Sequence, residues 1–277
     1  MMSDGKRRKV LGDWDLEELR QQARSKLTEH GKLNDRIGDQ IFALLSLYAR
    51  VLYYPLEQDG PWGFVLLKDD RPFVAINTAI PVDKQIFAAA HELYHIWFDQ
   101  IADYIPSTVL SEIDEHGAPL DPAERKANRF AAEFLVEEGL LKQEMHTYDI
   151  MPGRVMLKDV LVLANLFSVP YETMVKRLCE TNAITEKEQA GFLAQTPDMV
   201  NKFRRRFALP IPEADHRIAL DNFIELAVKQ YEKKNITFER LAYLLDMTGL
   251  DPESVGIIRP VAPIPASDEE LDRIMEE

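Results

Sequence analysis

The residues best able to do chemistry lie in Ala88-Ala89-Ala90-His91-Glu92-Leu93-Tyr94-His95-Ile96-Trp97-Phe98, which contains H-E-x-x-H. On a helix, His91 and His95 fall on one face, a turn apart. Two neutral imidazoles so placed can ligate one zinc ion, each at roughly 2.0–2.1 Å. Glu92 sits about 100° round the helix from His91. It can reach a water on the metal without joining the ligands. Zinc lowers the pKa of that water to about 7, and a carboxylate beside it takes the proton during attack on a carbonyl. This is metalloprotease chemistry. The competing reading is a buried helix with two hydrogen-bonded histidines. Two histidines and a glutamate on an apolar helix are costly to bury without a role.

A catalytic zinc needs a third protein ligand. The pattern H-E-x-x-H-x-x-G-x-x-H would need Gly at 98 and His at 101, where this chain has Phe98 and Ile101. The third ligand must come from farther away. Glu124 on the next good helix is a candidate, with Asn128 one turn on as a group that orients a ligand. His116, Asp121 and His146 compete with it. Asp121-x-x-Glu124 is also a capping-box arrangement, which gives Glu124 a purely structural reading. Tyr94, Tyr104, His116, His146 and Tyr148 are candidate oxyanion donors that spacing does not rank.

The elements around these residues follow from periodicity. Apolar positions at Ile86, Phe87, Ala90, Leu93, Tyr94 and Trp97 predict the H-E-x-x-H helix. Before it, Phe64–Leu67 and Phe73–Ile76 read as two strands joined through Lys68–Arg71. The free edge of that hairpin is suited to take substrate as an added strand. Ile37, Ile41, Leu44, Leu45, Tyr48 and Leu52 predict one helix that ends before Pro55. Residues 99–120 read as loop with a short helix. Asp121 and Pro122 open a helix whose stripe is Ala127, Phe130, Ala131, Phe134 and Leu135. Two apolar segments over 155–180, broken at Ser168–Tyr171, suggest a helix-turn-helix-like unit. Lys202–Arg206 is a dense basic stretch, read as a solvated linker. Two helices are expected at Asp221–Tyr231 and Thr237–Met247, then a proline-rich linker over 259–267 and an acidic end.

The chain has 277 residues and a net charge of −14, from 33 basic and 47 acidic residues. That balance argues against nucleic-acid binding and favours a basic protein partner. The single cysteine, Cys179, allows no intramolecular disulfide and fits a reducing compartment. The absence of a secretory or membrane-spanning apolar run points to the cytoplasm and no membrane.

Several stretches together resemble the ImmA/IrrE family of zinc metallopeptidases. They are Arg71–Asn77 leading into Phe87–His95, then Glu124–Leu135, then Leu163–Pro170 with Val175–Leu178. The resemblance covers about residues 35–182. It implies a bacterial or phage-borne protease with one Zn2+ per chain, ligands His91, His95 and Glu124, and Glu92 as general base. It also implies a protein substrate, a DNA-binding helix-turn-helix repressor cleaved in mobile-element or stress regulation. The chain departs from the family where Phe134-Leu135-Val136-Glu137 lacks a closing proline, and past about 185 no counterpart is recognised. The expected fold is α+β: a zincin-like core of a small sheet or hairpin packed by helices, then a mostly helical C-terminal region. The expected divisions are a tail or peripheral helix at 1–32, the core at 33–150, a helical extension at 151–206 and a C-terminal region at 207–277. Two rival functions remain: a non-catalytic zinc-containing regulator that binds a repressor, and a DNA-binding regulator acting through 155–206.

Overall fold

A computed structural model describes residues 13–68, 71–99, 105–107, 121–220 and 223–259. Two compact units divide at Asp221 and Asn222. The first carries α1 (Asp13–Glu29), α2 (Gln40–Ser46), β1 (Arg50–Tyr54), β2 (Gly63–Lys68), β3 (Arg71–Asn77), α3 (Val82–Phe98) and β4 (Ile105–Ser107). It continues with α4 (Pro122–Leu135), α5 (Glu138–Thr147), α6 (Leu157–Phe167), α7 (Tyr171–Glu180), α8 (Glu186–Leu193), α9 (Pro197–Arg206) and β5 (Ala219–Leu220). The second unit carries α10 (Phe223–Glu232) and α11 (Phe238–Asp246). The class is α+β, as expected.

The sheet runs β4-β2-β3-β1-β5. β2 and β3 form the expected antiparallel hairpin, and β1 adds to β3 in parallel. β1 corrects the sequence reading, which extended one helix through residue 52. Only α2 is helical there. Val51 and Tyr53 are buried, while Arg50 and Tyr54 are exposed, the period of two that a strand needs. Leu44, Tyr48 and Leu52 match helical spacing by coincidence, and pairing with β3 decides the matter. A second correction falls at 105–107, where a strand replaces loop or helix. Pro106 is tolerated because β4 is an edge strand. It covers β2 over Gly63–Val65, so the hairpin edge nearest the histidines is not free. The rest of 99–120, from residue 100 on, lies outside the described residues, as do 1–12 and the acidic end.

One apolar cluster holds Leu19, Ala23 and Leu27 of α1, the sheet, α3, α4, and Leu161, Leu163, Met174 and Leu178 of α6 and α7. The sequence boundaries at 32 and 150 therefore fall inside one core. The boundary at 206 also falls inside the first unit. Val82 N–H donates to Glu213 O at 3.1 Å, and Thr78 Oγ1 to Arg217 O at 2.8 Å. The Arg217 guanidinium lies 3.9 Å from the Tyr53 ring centroid, and β5 pairs with β1. Residues 207–220 thus strap the start of α3 to the sheet. The basic stretch is part of α9 and not a linker: Arg204 is 2% exposed and donates to Pro210 O.

Candidate metal centre

α3 is held where two layers meet. Its small residues Ala88, Ala89 and Ala90 are fully buried, as are Ala127 and Ala131 of α4, so the two helices approach closely. Tyr94 and Trp97 of α3 pack on Phe130 and Phe134 of α4, with ring centroids 5.4 Å (Tyr94–Phe130) and 5.6 Å (Trp97–Phe134) apart. This aromatic seam fixes α4 lengthwise along α3. Glu124 and Asn128, one turn apart on α4, then face the histidines. Asp121 caps α4 with its own side chain, accepting from Ala123 N–H at 2.8 Å. The Glu124 carboxylate turns instead to the imidazoles.

His91, His95 and Glu124 converge, with one potential ligand atom of each inside 4.8 Å. His91 Nε2 lies 3.2 Å from Glu124 Oε2, and His95 Nε2 lies 3.3 Å from Glu124 Oε1. The two Nε2 atoms are 3.0 Å apart. Both histidines are fully buried, and Glu124 nearly so.

The outer ring nitrogens set the tautomers. His91 Nδ1 is 2.9 Å from Asn128 Oδ1, and His95 Nδ1 is 2.7 Å from Asp99 Oδ2. An amide oxygen and a carboxylate oxygen only accept. Each Nδ1 therefore carries a proton, and each Nε2 presents a lone pair to the other and to Glu124. Both Glu124 oxygens are buried without a well-directed hydrogen bond. Such a set of facing lone pairs repels itself unless a positive charge sits among them. Two imidazoles and a carboxylate, with two open sides secured by outer partners, are a donor set that fits a metal ion. Titration points the same way. Burial works against charge on His95, yet Asp99, Glu124 and Glu92 raise its pKa to about 10. Burial raises that of Glu124, but contact with His91 and His95 brings it to about 2.

Glu92 is fully buried beside the cluster. Asn128 stands as the sequence analysis placed it. Asp99, at the C-cap of α3, was missed, although it lies four residues after His95, a spacing that one helical turn brings into contact. His146 is exposed near the end of α5 and Tyr148 is half exposed at its cap. Tyr94 is buried in the aromatic seam. Tyr104 and His116 lie outside the described residues.

A three-donor metal centre with a carboxylate beside it, on an α+β core, defines a metallopeptidase. Residues 47–179 match the family model Peptidase_M78, the IrrE N-terminal-like domain, and so this stretch belongs to the ImmA/IrrE family. No curated protein matches the chain. Among the described residues, no helix is long and apolar enough to cross a membrane.

Proposed function

We propose that the chain is a zinc endopeptidase that cleaves a specific protein, a helix-turn-helix repressor, in mobile-element or stress regulation. The observation that carries the chemistry is the pair of Nε2 lone pairs 3.0 Å apart facing the Glu124 carboxylate. His91, His95 and Glu124 would hold the ion. When bound, zinc supplies Lewis acidity, polarising the scissile carbonyl and lowering the pKa of the attacking water. Glu92 accepts the proton of that water and returns it to the leaving amine. Asn128 and Asp99 hold the imidazoles in the tautomer that leaves Nε2 free to bind. A proton and the metal compete for the same atoms, so zinc affinity falls as pH is lowered.

The substrate assignment follows the family and the acidic surface, which suits a basic DNA-binding partner. The DNA-reading rival loses support because Arg177 and Arg204 are buried. The test is Glu92→Gln in cells. Mass spectrometry is expected to find repressor fragments with the parent chain and intact repressor with the variant. Fragments in both would sink the protease reading. Equal biological activity of both chains, with no fragments in either, would favour the non-catalytic regulator.

A further inference from the structure

Gly63 opens β2 directly beside Glu92. It pairs with Ile76 of β3 on one side and Ser107 of β4 on the other. It shares a strand face with Val65, which is fully buried. A Cβ added at Gly63 would lie 3.2 Å from Glu92 Oε1, 3.0 Å from Ala75 O and 3.4 Å from Ile76 Cδ1. A glycine inside a strand gives up packing and costs conformational entropy, and it marks the close approach of another group. Here the approaching group is the carboxylate of the general base.

We propose that Gly63 is the positioning residue for Glu92: the missing side chain on this face of β2 is the space that the Glu92 carboxylate occupies. The proposal rests on the reading of Glu92 as the base. The strand cannot slide away from a new methyl group, because Asn77 pins the turn that enters it. Asn77 Nδ2 donates to Glu57 O and Pro61 O at 2.9 and 3.1 Å, and its Oδ1 accepts from Leu56 N–H and Ala79 N–H. Its backbone N–H donates to Trp62 O at 2.9 Å. Ala75 O belongs to the central strand pair and is equally held. The softest neighbour is the end of the Glu92 side chain, so an alanine at 63 displaces the base. A misplacement of about 1 Å at a reacting group costs on the order of 100-fold in rate.

A double-mutant cycle on the full chain tests this without a substrate. Thermal melts compare the parent, Gly63→Ala, Glu92→Ala and the double variant, each metal-free and with zinc added. Gly63→Ala is expected to lower Tm by about 4 °C in the parent, and by less than half of that when Glu92 is alanine. Equal losses in both backgrounds put the cost on Ala75 O and overturn the proposal. If Gly63→Ala does not fold, a soluble double variant supports the same coupling, and failure of both overturns it. Zinc titration of Gly63→Ala is expected to match the parent, because the added Cβ does not meet His91, His95 or Glu124. A loss of zinc as complete as that of His91→Ala overturns it too. Turnover by Glu92→Gln is read separately: it would end the general-base reading and leave the coupling in the melts intact.

Discussion

α4 carries two buried carboxylates, and the two ends of the helix treat them in opposite ways. Glu133, 2% exposed, meets Arg177 Nη2 at 2.7 Å and Arg129 Nη2 at 2.5 Å. Arg177 is itself fully buried. It also donates from Nε and Nη2 to Val136 O, the carbonyl at the C-cap of α4, and from Nη1 to Glu180 Oε2 at 2.8 Å. Burial opposes its charge, but Glu133 and Glu180 hold its pKa above the usual arginine value. Glu124, 7% exposed, meets only imidazole nitrogens that carry lone pairs. One end of the helix brings its own cation, and the other is built to receive one. A buried charge needs a partner, and the chemistry of the partner tells structure from function.

Removing the built-in cation should cost most. Arg177→Met leaves Glu133 buried with less neutralisation, and a loss of about 3–5 kcal/mol in folding stability is expected by urea melts. A loss under about 1 kcal/mol would show that the two ends of α4 are not so different.

The same kind of change at the other end should invert the result. Glu124→Gln is expected to weaken zinc binding by more than the roughly 10–100-fold that orienting partners contribute. It should leave metal-free stability equal or higher, because a buried charge is gone. Zinc titration with metal-free melts reads both. Parent-like zinc affinity in this variant would return the third-ligand question to His116, Asp121 and His146.

The outer partners of the histidines sharpen the contrast further. Asp99→Asn and Asn128→Ala are each expected to weaken zinc by about 10–100-fold. Asp99→Asn should cost more, because a carboxylate makes the shorter, charge-assisted bond. Competition with a chromogenic chelator measures this. The reverse order would mean that His91, and not His95, depends more on its outer partner.

The smallest effect is expected from removing the second unit. Its buried core is Ala227, Leu241 and Leu245, and no metal-ligating cluster among the described residues includes it. A chain ending at Asp221 should bind zinc like the parent. A chain ending at Arg206 also loses β5 and the strap at Glu213–Arg217, and should be clearly less stable by thermal melt. Equal melting of the two would show that the strap does not hold α3.

The H-E-x-x-H helix, the α4 cap at Asp121, the β2–β3 hairpin and the two helices of the second unit were legible in the sequence. Each is a local pattern: helical spacing, a capping residue, strand runs bounded by turn residues, and Thr237 accepting from Arg240 N–H ahead of α11. β1 was not legible, since Leu44, Tyr48 and Leu52 fit a helix until β3 lies alongside. β4 was hidden for the same reason, being a strand only through its pairing with β2. The metal centre divides likewise. Spacing alone put His91 and His95 on one face with Glu92 beside them. Spacing could not choose between Glu124 as a cap and Glu124 as a partner of the imidazoles, nor single out Asp99 or Gly63. Those depend on how far α4 slides along α3 and how closely β2 approaches it. Side-chain packing across elements distant in the chain sets both, through the Phe130–Phe134 seam and the Asn77 hydrogen bonds. A one-dimensional pattern carries the period of an element, but not its offset from a neighbour.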